Sequence, residues 1–260
     1  MFAAQRREWL LKQLAQNRQI IVKEAAKELN VSEGTIRTDL RLLEEEGLLE
    51  RTHGGAVPVR AGHQPPAHVM PSRGELNRQE KRAIGRRAAE MVRSGQCILL
   101  DASSTVFELA RCLSEYDYLT VVTNGLAAAE EVGRNPRNNV ILIGGILRPG
   151  SRTVEGTLGR GLLQEVHADL FFTSSEGFTV ETGMTDFSPN EAELKKLMAA
   201  NASQVVALLD HTKLGRRSIV TSIQAKDIRT LITDAGADPA WLKTLGKIRV
   251  IVADVPAGEK

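Results

Sequence analysis

The chain has 260 residues, of which 42% are hydrophobic and 25% charged, and its formal net charge is +2. This length exceeds that of a lone DNA-binding module and suits one small and one medium domain, while the composition excludes a disordered or fibrous protein. No stretch approaches the roughly 18 apolar residues of a membrane span, and Arg6, Arg7 and Glu8 interrupt the segment where a signal peptide needs an apolar run. We therefore expect a cytoplasmic protein that has no membrane partner.

Neither charge nor cysteine content identifies a function. Residues 1–43 contain eight Lys or Arg and five Asp or Glu, a balance of +3 that the acidic run Glu44–Glu46 cancels. An argument for nucleic-acid binding must therefore rest on motif and helix geometry. Cys97 and Cys112 stand singly, without the spacing of metal ligands, and we expect neither a metal site nor a cofactor.

Residues 1–58 have the pattern of a winged helix-turn-helix domain. Asn30 and Val31 form a tight turn, and Ser32 is a good N-cap for a third helix that ends near Gly47. The second strand pair, which turns at residues 53–55, would form the wing. The predicted helices cover 5–16, 23–29 and 33–46, and the predicted strands cover 20–22, 48–52 and 56–59.

A linker and a second domain follow. Residues 59–73 are rich in Gly, His, Gln and Pro, which predicts the linker. Within residues 74–260, a basic amphipathic helix at 77–93 precedes apolar strands that alternate with helices, which predicts a doubly wound, mainly parallel α/β domain. The predicted strands are 97–100, 119–122, 140–143, 170–173, 205–209, 229–232 and 248–252, and the helices between them are 105–113, 126–134, 157–165, 190–201 and 239–245.

The third helix of the first domain has two distinct faces. Ile36, Leu40 and Leu43 form an apolar stripe, and Arg37 and Arg41 lie roughly opposite. Arginine side chains can bind guanine edges or phosphates, whereas the alternative is an ordinary solvated face of a helical hairpin. The predicted DNA-contacting residues are Ser32, Gly34, Thr35, Arg37, Thr38, Arg41, Arg51 and His53.

Residues 31–40, Val-Ser-Glu-Gly-Thr-Ile-Arg-Thr-Asp-Leu, and residues 47–56, Gly-Leu-Leu-Glu-Arg-Thr-His-Gly-Gly-Ala, resemble the N-terminal signature of the DeoR family of transcription regulators. The likeness continues, in order, through Glu80-Lys81, the 101–105 loop, Thr123-Asn124, Gly144-Gly145 and Asp210-His211-Thr212-Lys213. The resemblance implies a sensor domain similar to the ribose-5-phosphate isomerase fold and a phosphosugar ligand. Two departures are Arg37-Thr38, where the family usually has two basic residues, and Ser103-Ser104-Thr105, where it has Gly-Thr-Thr.

The loop Asp101–Thr105 joins a predicted strand to a predicted helix and can hold a phosphate. Hydroxyl and backbone N–H groups converge there at a helix N-terminus, whose dipole favours an anion. Ordinary helix capping by Ser or Thr explains the same pattern. Polar or glycine-rich loops also follow the next two strands, at Thr123-Asn124-Gly125 and Gly144-Gly145. Because doubly wound sheets bind ligands at their strand ends, we expect the site there.

Further polar residues can read the sugar. Arg148 and Lys213 would supply positive charge, and Glu176, Asp186 and Glu191 could bind hydroxyls. Glu191 and Lys195, one helical turn apart, also fit an exposed ion pair. The five histidines lack ligand spacing and are interpreted as structural or solvated. The predicted effector site comprises Asp101, Ser103, Ser104, Thr105, Thr123, Asn124, Gly144, Gly145, Arg148, Ser175, Glu176, Gly177, Asp186, Glu191, Lys195 and Lys213.

The sequence favours a DNA-binding repressor of a carbohydrate operon that is controlled by a phosphorylated sugar. The alternative is a phosphosugar isomerase carrying a nucleic-acid module, with a base among the acidic residues named above and Lys213 polarising the carbonyl. The paired acidic strand-end motif of the isomerases is missing, so we expect no enzyme. A structural adaptor has only the basic helix in its favour. Because one helix-turn-helix makes few operator contacts, we expect a homo-oligomer, a dimer or tetramer, on double-stranded DNA.

Overall fold

The chain divides into two compact units, residues 1–73 and 74–260. The computed structural model describes residues 3–17, 19–45, 49–52, 54–57, 76–148 and 151–254. The predicted linker at 59–73, the predicted helix end at Gly47 and the predicted DNA contact His53 lie outside the described residues. No helix in the described ranges combines the length and the apolar character that crossing a bilayer requires.

The described part of the first unit contains helices and a small antiparallel sheet. The sheet has the strand order β1-β3-β2, in which β3 pairs with both neighbours. This arrangement confirms the predicted helix-turn-helix followed by a wing hairpin. The elements are α1 Ala3–Asn17, β1 Ile20–Ile21, α2 Val22–Glu28, α3 Glu33–Glu45, β2 Glu50–Thr52 and β3 Gly55–Val57.

The core of the first unit lies beneath α3. Ile36, Leu40 and Leu43 are buried there together with Leu10 of α1. Burying each such side chain contributes about 1.5–3 kcal/mol, so this stripe determines which face of α3 is exposed. Gly55 allows β3 to approach β1 closely, because a Cβ at this position would lie 1.7 Å from the carbonyl oxygen of the facing strand.

The second unit is built from helices that alternate with strands over most of its length. The described part of this unit also contains three short 3₁₀ turns, at His211–Lys213, Ala225–Asp227 and Lys243–Leu245. The elements are α4 Arg78–Ala89, β4 Cys97–Leu100, α5 Ser104–Leu113, β5 Thr120–Thr123, α6 Leu126–Val132, β6 Asn139–Leu142, β7 Ile146–Arg148, β8 Thr153–Glu155, α7 Arg160–Glu165, β9 Ala168–Thr173, β10 Gly177–Thr179, β11 Gly183–Asp186, α8 Pro189–Ala200, β12 Ala202–Leu208, β13 Val220–Ile223, β14 Ile228–Asp234, α9 Pro239–Leu242 and β15 Arg249–Ala253.

Within the described residues, seven parallel strands form the central sheet, in the order β15-β14-β12-β9-β4-β5-β6. Helices α4, α5 and α6 pack on one face, and α7, α8 and α9 pack on the other. Successive strand residues alternate between these layers, since Ile98 and Leu100 face the first and Leu99 faces the second. The doubly wound prediction is confirmed, and each predicted strand of this sheet agrees with the observed one to within three residues.

Five short strands in the part of the chain that the structure describes were not predicted from the sequence. β7 and β8 form an antiparallel hairpin, and β10, β11 and β13 form a small sheet in the order β10-β11-β13. This small sheet covers the second face of the central sheet through Phe178, Met184 and Ile223. Strands of three or four residues are too short to show a recognisable alternation.

The strand order reverses between β4 and β9. The chain proceeds from β4 through β5 to β6 on one side, and from β9 through β12 and β14 to β15 on the other. Asp101 follows β4 and Ser174 follows β9 at this reversal. Doubly wound sheets bind ligands in the crevice at the carboxyl ends of such a strand pair.

Candidate DNA-reading helix and ligand site

A tight turn connects α2 to α3. Asn30 has a φ of 51°, in the left-handed region that asparagine tolerates. Ser32 caps α3, because its Oγ accepts a hydrogen bond of 3.1 Å from the backbone N–H of Thr35 and lies 2.8 Å from Thr35 Oγ1. Two of the predicted DNA contacts, Ser32 and Thr35, therefore also stabilise the start of the helix.

The outer face of α3 is exposed, as predicted. It presents Gly34, Arg37, Thr38 and Arg41. An Arg37 guanidinium N–H donates to Glu33 Oε2 over 3.0 Å, and Thr38 Oγ1 donates to the carbonyl of Gly34 over 3.0 Å. An exposed pair such as Arg37–Glu33 contributes less than about 1 kcal/mol, so the arginine can exchange it for another partner.

A partly buried ion pair joins α1 to α3. Arg6 Nη2 donates to Asp39 Oδ1 over 3.2 Å, and Arg6 Nε donates to Asp39 Oδ2. The hydrogen bond from the guanidinium to this carboxylate raises the pKa of Arg6. The pair holds α3 in one rotation about its axis, and it was not predictable from the sequence, because 33 residues separate the two side chains.

Arg51 lies on the wing strand β2 and is exposed. Its backbone N–H donates to Glu44 Oε1 over 3.0 Å, and its guanidinium lies 3.5 Å from Glu44 Oε2. The wing is thereby tied to the end of α3. This residue and the exposed face of α3 belong to the same small unit.

Lys195 on α8 is the buried centre of the candidate ligand site. Its Nζ lies 2.9 Å from Asp186 Oδ1, 3.1 Å from Glu191 Oε1 and 3.5 Å from Asp101 Oδ2, and it donates to the carbonyl of Ser174 over 2.7 Å. Burial lowers the pKa of Lys195, but the three carboxylates raise it by more, so the net pKa is raised. The exposed ion pair considered from the sequence is wrong for Lys195, which is 3% exposed.

Asp101 connects the ends of β4 and β9. Its Oδ2 accepts hydrogen bonds from Thr173 Oγ1 at 2.7 Å and from the Ser174 N–H at 2.8 Å, and its Oδ1 accepts from the Ser103 N–H at 2.9 Å. Ser103 Oγ in turn accepts from the Val106 N–H at 3.2 Å, so helix capping describes Ser103 correctly. Asp101 and Ser103 thus fix the shape of the loop at the strand reversal.

Ser104 and Thr105 form the first turn of α5. The first N–H groups of a helix have no carbonyl partner within the helix, and the dipole makes this end positive. Ser104 is partly exposed, and Thr105 is buried beneath it. The loop after β4 therefore combines hydroxyl and backbone donors in one place.

Asp186 on β11 contributes a second buried carboxylate oxygen. Among the described residues, its Oδ2 makes no hydrogen bond of standard geometry, and the nearby Ser222 hydroxyl lowers the pKa of this carboxyl. Burial raises the pKa of Asp186, Lys195 opposes this and Glu191 adds to it, and the net pKa is raised. A buried acceptor without a donor is unfavourable, and a ligand hydroxyl would satisfy it.

Arg148 on β7 borders the same cluster. Its Nε lies 4.0 Å from Glu155 Oε1, and its Nη1 lies 4.0 Å from Glu191 Oε2. Its guanidinium carbon lies 4.6 Å above the ring centre of Phe187. Glu191 therefore lies between Lys195 and Arg148, which connects the β7–β8 hairpin to the buried centre.

The turn after β12 carries two further contacts. Lys213 Nζ donates to Glu176 Oε2 over 3.3 Å, which brings together two predicted site residues. Asn77 Nδ2 donates to Asp210 Oδ1 over 3.0 Å and to Thr212 Oγ1 over 3.3 Å. Asn77 was not predicted as a site residue. It occupies the N-cap position of α4, but its side chain does not cap that helix and binds the turn after β12 instead.

His211 is oriented by a buried carboxylate. Its Nδ1 lies 2.8 Å from Asp234 Oδ2, and its backbone N–H donates to Asp234 Oδ1 over 2.8 Å. The ring lies against Gly236, where a Cβ would come within 2.6 Å of Nδ1. The sequence interpretation of the histidines as structural or solvated overlooked this pairing with Asp234 at the end of β14.

Some predicted effector residues have a packing role. Asn124 Nδ2 donates to the carbonyl of Val154 over 2.8 Å, which fastens β8 to the loop after β5. A Cβ on Gly145 would lie 2.7 Å from the carbonyl oxygen of Glu155. Gly144, by contrast, is exposed and has open space around a built Cβ. Asn124 and Gly145 therefore shape the β7–β8 hairpin.

Three other predicted residues stabilise neighbouring loops. Thr123 Oγ1 accepts from the N–H of Gly125 at 3.0 Å. Ser175 Oγ donates to the carbonyl of Gly177 over 2.9 Å, and a Cβ on Gly177 would lie 2.5 Å from the Arg216 carbonyl oxygen. These loops keep the ends of β5 and β9 in a fixed geometry beside the Lys195 cluster.

Both units match known protein families. Residues 6–60 match the DeoR-like helix-turn-helix domain, and residues 76–235 match the DeoR C terminal sensor domain. The HTH-type transcriptional regulator GolR of Listeria innocua is 44% identical over 243 residues, covering 94% of this chain and 95% of that protein. The HTH-type transcriptional regulator GlpR of Haloferax volcanii is 34% identical over 254 residues, covering 98% of each. The transcriptional repressor AccR of Agrobacterium fabrum is 32% identical over 207 residues, covering 79% of this chain and 80% of that protein.

Solved structures show weaker likenesses. Ribose 5-phosphate isomerase A of Methanocaldococcus jannaschii has a TM-score of 0.40 and 18% identity, covering 53% of this chain and 55% of that chain. The eIF2B beta subunit of Chaetomium thermophilum has a TM-score of 0.43 and 14% identity, covering 59% and 48%. At these values neither likeness bears on function.

Proposed function

Because the chain belongs to the DeoR family of helix-turn-helix transcription regulators, we propose that it represses a carbohydrate operon and that a phosphorylated sugar bound by the second unit controls its hold on operator DNA. The relatives named as regulators align along most of their length with this chain, which disfavours an isomerase that carries a DNA-binding module. The observation that carries the sensing role is the Lys195 cluster, which lies at the strand reversal beside the N-terminus of α5.

The exposed face of α3 supports the DNA contact. Arg37 and Arg41 offer guanidinium groups to base edges or phosphates, and Thr38 offers a hydroxyl. A Cβ on Gly34 would meet only Ser32 Oγ, at 3.6 Å, so packing within the unit does not require a glycine there. Close approach of α3 to a DNA backbone would be a reason for a glycine at this position.

The charges around Lys195 support a definite orientation of the ligand. Three carboxylates surround one ammonium group, so the Lys195 cluster carries an excess of negative charge and disfavours the binding of a phosphate. It suits sugar hydroxyls, which donate to carboxylates such as Asp186 Oδ2. The phosphate would instead lie at Ser104 and Thr105 on the positive end of α5, with Arg148 and Lys213 as partly exposed cations at the margin.

The domain organisation completes the proposal. Residues 1–58 would read DNA, residues 74–260 would sense the ligand, and residues 59–73 would link them. A homo-oligomer, either dimeric or tetrameric, would place two copies of α3 on two operator half-sites. Operator DNA lies in the cytoplasm of a bacterial cell, and we place the protein there for that reason.

A thermal-shift screen against sugar phosphates tests the sensing role. A ligand at 100 times its Kd stabilises the folded state by about 2.7 kcal/mol, which raises the melting temperature of the second unit. Operator binding is then measured by fluorescence anisotropy with and without that ligand. Coupling of ordinary size, about 1–3 kcal/mol, changes operator affinity by about 5- to 150-fold, and we expect the change to be a loss.

Ser104→Glu tests the phosphate position. A fixed negative charge at the start of α5 should abolish the thermal shift and the effect of the ligand on operator binding, while folding and DNA binding persist. Ser114→Glu, at the other end of the same helix, is the matched control and should respond like the wild type. A normal ligand response in Ser104→Glu would show that the phosphate binds elsewhere.

A further inference from the structure

The side-chain amide of Asn124 uses only one of its two polar atoms. Its Nδ2 donates to the carbonyl of Val154 over 2.8 Å, and its backbone carbonyl accepts from the Val154 N–H at 2.8 Å. Because a carbonyl can only accept, Nδ2 must face Val154, and the remaining atom is the acceptor Oδ1. Asn124 is 3% exposed, and within the described ranges its Oδ1 makes no hydrogen bond. A buried acceptor of this kind calls for a donor that the described residues do not supply.

Asn124 lies beside Asp101 at the carboxyl edge of the central sheet. The last residues of β4 and β5 are paired in register, so Asp101 and Asn124, which follow them, are neighbours on adjacent strands. Adjacent strands lie about 4.8 Å apart. The next residue, Gly125, packs on the loop after β4, because a Cβ on it would lie 3.0 Å from Ala102 Cα. Asn124 therefore borders the loop that leads to the start of α5.

Asp101 and Asn124 also lie on the same face of the sheet. Leu99, two residues before Asp101, and Val122, two residues before Asn124, both pack on the face that carries α8. Strand β8, which holds the Asn124 amide, is fastened to the start of α8 by Ser188 Oγ, which donates to a carboxylate of β8 over 2.9 Å. The Asn124 side chain therefore lies on the side of the sheet from which α8 reaches Asp101.

The candidate ligand site thus has two buried acceptor oxygens. Asn124 Oδ1 follows β5, and Asp186 Oδ2, which makes no hydrogen bond of standard geometry, lies on β11. A hydroxyl group can donate to such atoms, whereas a carbonyl or a carboxylate would place a second acceptor against them. A carboxylate would also be repelled by the excess negative charge of the Lys195 cluster.

We propose that Asn124 is a specificity-determining residue whose Oδ1 accepts a hydrogen bond from a hydroxyl group of the effector. The effector is then a sugar or alditol phosphate that presents hydroxyl groups to this edge, and phosphorylated sugar acids are rejected. This inference rests on the proposed function, because it takes the phosphate to lie at the start of α5. The loop after β4 connects the two positions, since Asp101 begins it next to Asn124 and Ser104 ends it in α5.

Calorimetric titration of the full chain with two ligand series tests the chemical class. The first series is ribitol 5-phosphate, ribose 5-phosphate and 5-phosphoribonate, and the second is glucitol 6-phosphate, glucose 6-phosphate and 6-phosphogluconate. Members of a series differ only at C1. We expect at least one alditol or sugar phosphate to bind, and its acid counterpart to bind at least about 10-fold more weakly. An acid that binds as tightly as its counterparts would overturn the inference and leave phosphosugar sensing intact. A chain that binds no member would overturn both.

Single-deoxy analogues of the tightest-binding member of these series test Asn124 itself. In the wild type, one analogue should bind roughly 10- to 100-fold more weakly than its parent, because it leaves Oδ1 without a donor. In Asn124→Ala this loss should largely disappear, since the acceptor is gone. Equal affinities of all analogues for the wild type would refute the role of Asn124 without any variant. A loss that persists in Asn124→Ala would also refute it.

Asn138→Ala is the matched control. Asn138 is 9% exposed, its Oδ1 accepts from the Leu119 N–H at 2.9 Å, and its Nδ2 has no partner in the described part of the chain. It is thus a second buried asparagine with one polar atom bonded, but it precedes β6 at the opposite edge of the sheet. This variant should discriminate between parent and deoxy analogue as the wild type does. If Asn138→Ala also loses the discrimination, the effect comes from weakened packing and the inference fails.

Discussion

Replacing Lys195 by methionine removes a buried positive charge and leaves Asp101, Asp186 and Glu191 facing one another. Methionine fills a similar volume, but it cannot donate to the carbonyl of Ser174. Removing one partner of a buried ion pair costs about 3–5 kcal/mol. Burial already raises the pKa of Asp186, so this carboxylate can take up a proton in the variant and limit the loss. We therefore expect the free energy of unfolding of the second unit to fall by about 3 kcal/mol or more.

Lys196, the next residue on α8, is the matched control. Lys195 is 3% exposed, whereas the side chain of Lys196 is 49% exposed and its Nζ lies 3.6 Å from Glu193 Oε2. An exposed pair of this kind contributes at most about 1 kcal/mol. Lys196→Met makes the same chemical change on the same helix, so it isolates the effect of burial.

Tryptophan fluorescence can follow the second unit alone. The chain has two tryptophans, Trp9 in α1 and Trp241 in α9, and the Trp241 ring packs edge-on against Phe178 at 6.1 Å. In a Trp9→Phe background, urea unfolding monitored by fluorescence therefore reports on the second unit. If Lys195→Met loses no more stability than Lys196→Met, the buried cluster does not stabilise the fold and the reasoning is refuted.

The raised pKa of Lys195 also determines how this difference depends on pH. A group whose pKa is raised on folding contributes fully below its ordinary value, here 10.5, and loses its contribution only as the pH rises through the higher folded value. The contribution of Lys195 to the wild type should therefore stay constant from about pH 6 to about pH 9, while proton uptake by Asp186 in Lys195→Met makes the stability difference between the two proteins grow as the pH rises. A difference that shrinks across this range would mean that Lys195 loses its proton earlier.

Three further predictions concern the first unit. Arg37→Ala and Arg41→Ala should each weaken operator binding by about 1–3 kcal/mol if the arginine reads a base, as measured by anisotropy. Asp39→Asn leaves Arg6 without its carboxylate and should lower the melting temperature followed by circular dichroism, at a cost of about 1–3 kcal/mol. Gly55→Ala forces a Cβ to within 1.7 Å of a carbonyl oxygen on β1 and should destabilise the unit by about 2–4 kcal/mol in urea unfolding.

Matched variants make these predictions refutable. Arg134, in the second unit, has a side chain that is 71% exposed, and Arg134→Ala should leave operator binding unchanged. Equal operator affinities for this variant and Arg37→Ala would show that α3 does not read DNA. A Cβ on Gly54 meets nothing within 4 Å, so Gly54→Ala should retain the stability that Gly55→Ala loses. An unchanged melting temperature in Asp39→Asn would contradict a stabilising role for the Arg6–Asp39 ion pair.

The parallel sheet was predictable because its strands are buried on both faces. Residues 97–100 and 170–173 are short apolar runs between polar loops, and such runs are typical of central strands. β7 was missed because Ile146-Leu147-Arg148 shows neither an apolar run nor an alternation. Its strand conformation comes from pairing with β8, which is a tertiary contact.

The part of the candidate site that lies on a single loop was predictable from the sequence. The part that forms where several distant segments meet was not. The polar residues of the 101–105 loop directly follow a strand, and this order is visible in the sequence. The spacing of Glu191 and Lys195 is typical of a solvated helix, and only the fold brings Asp101 and Asp186 to the same ammonium group. The sequence pattern of the buried Lys195 cluster is therefore the same as that of an exposed ion pair on a helix.

The hydrogen bond from Asn77 to Asp210 determines how far the second unit can be shortened. This contact joins residues that are 133 positions apart, and Asp210 is buried. A fragment starting at Arg78 would retain the whole of α4, yet it would remove a donor from Asp210 and from Thr212 at the edge of the candidate ligand site. A fragment for ligand screening or crystallisation should therefore begin at Leu76 or earlier, because its boundary is set by this hydrogen bond and not by the first helical residue.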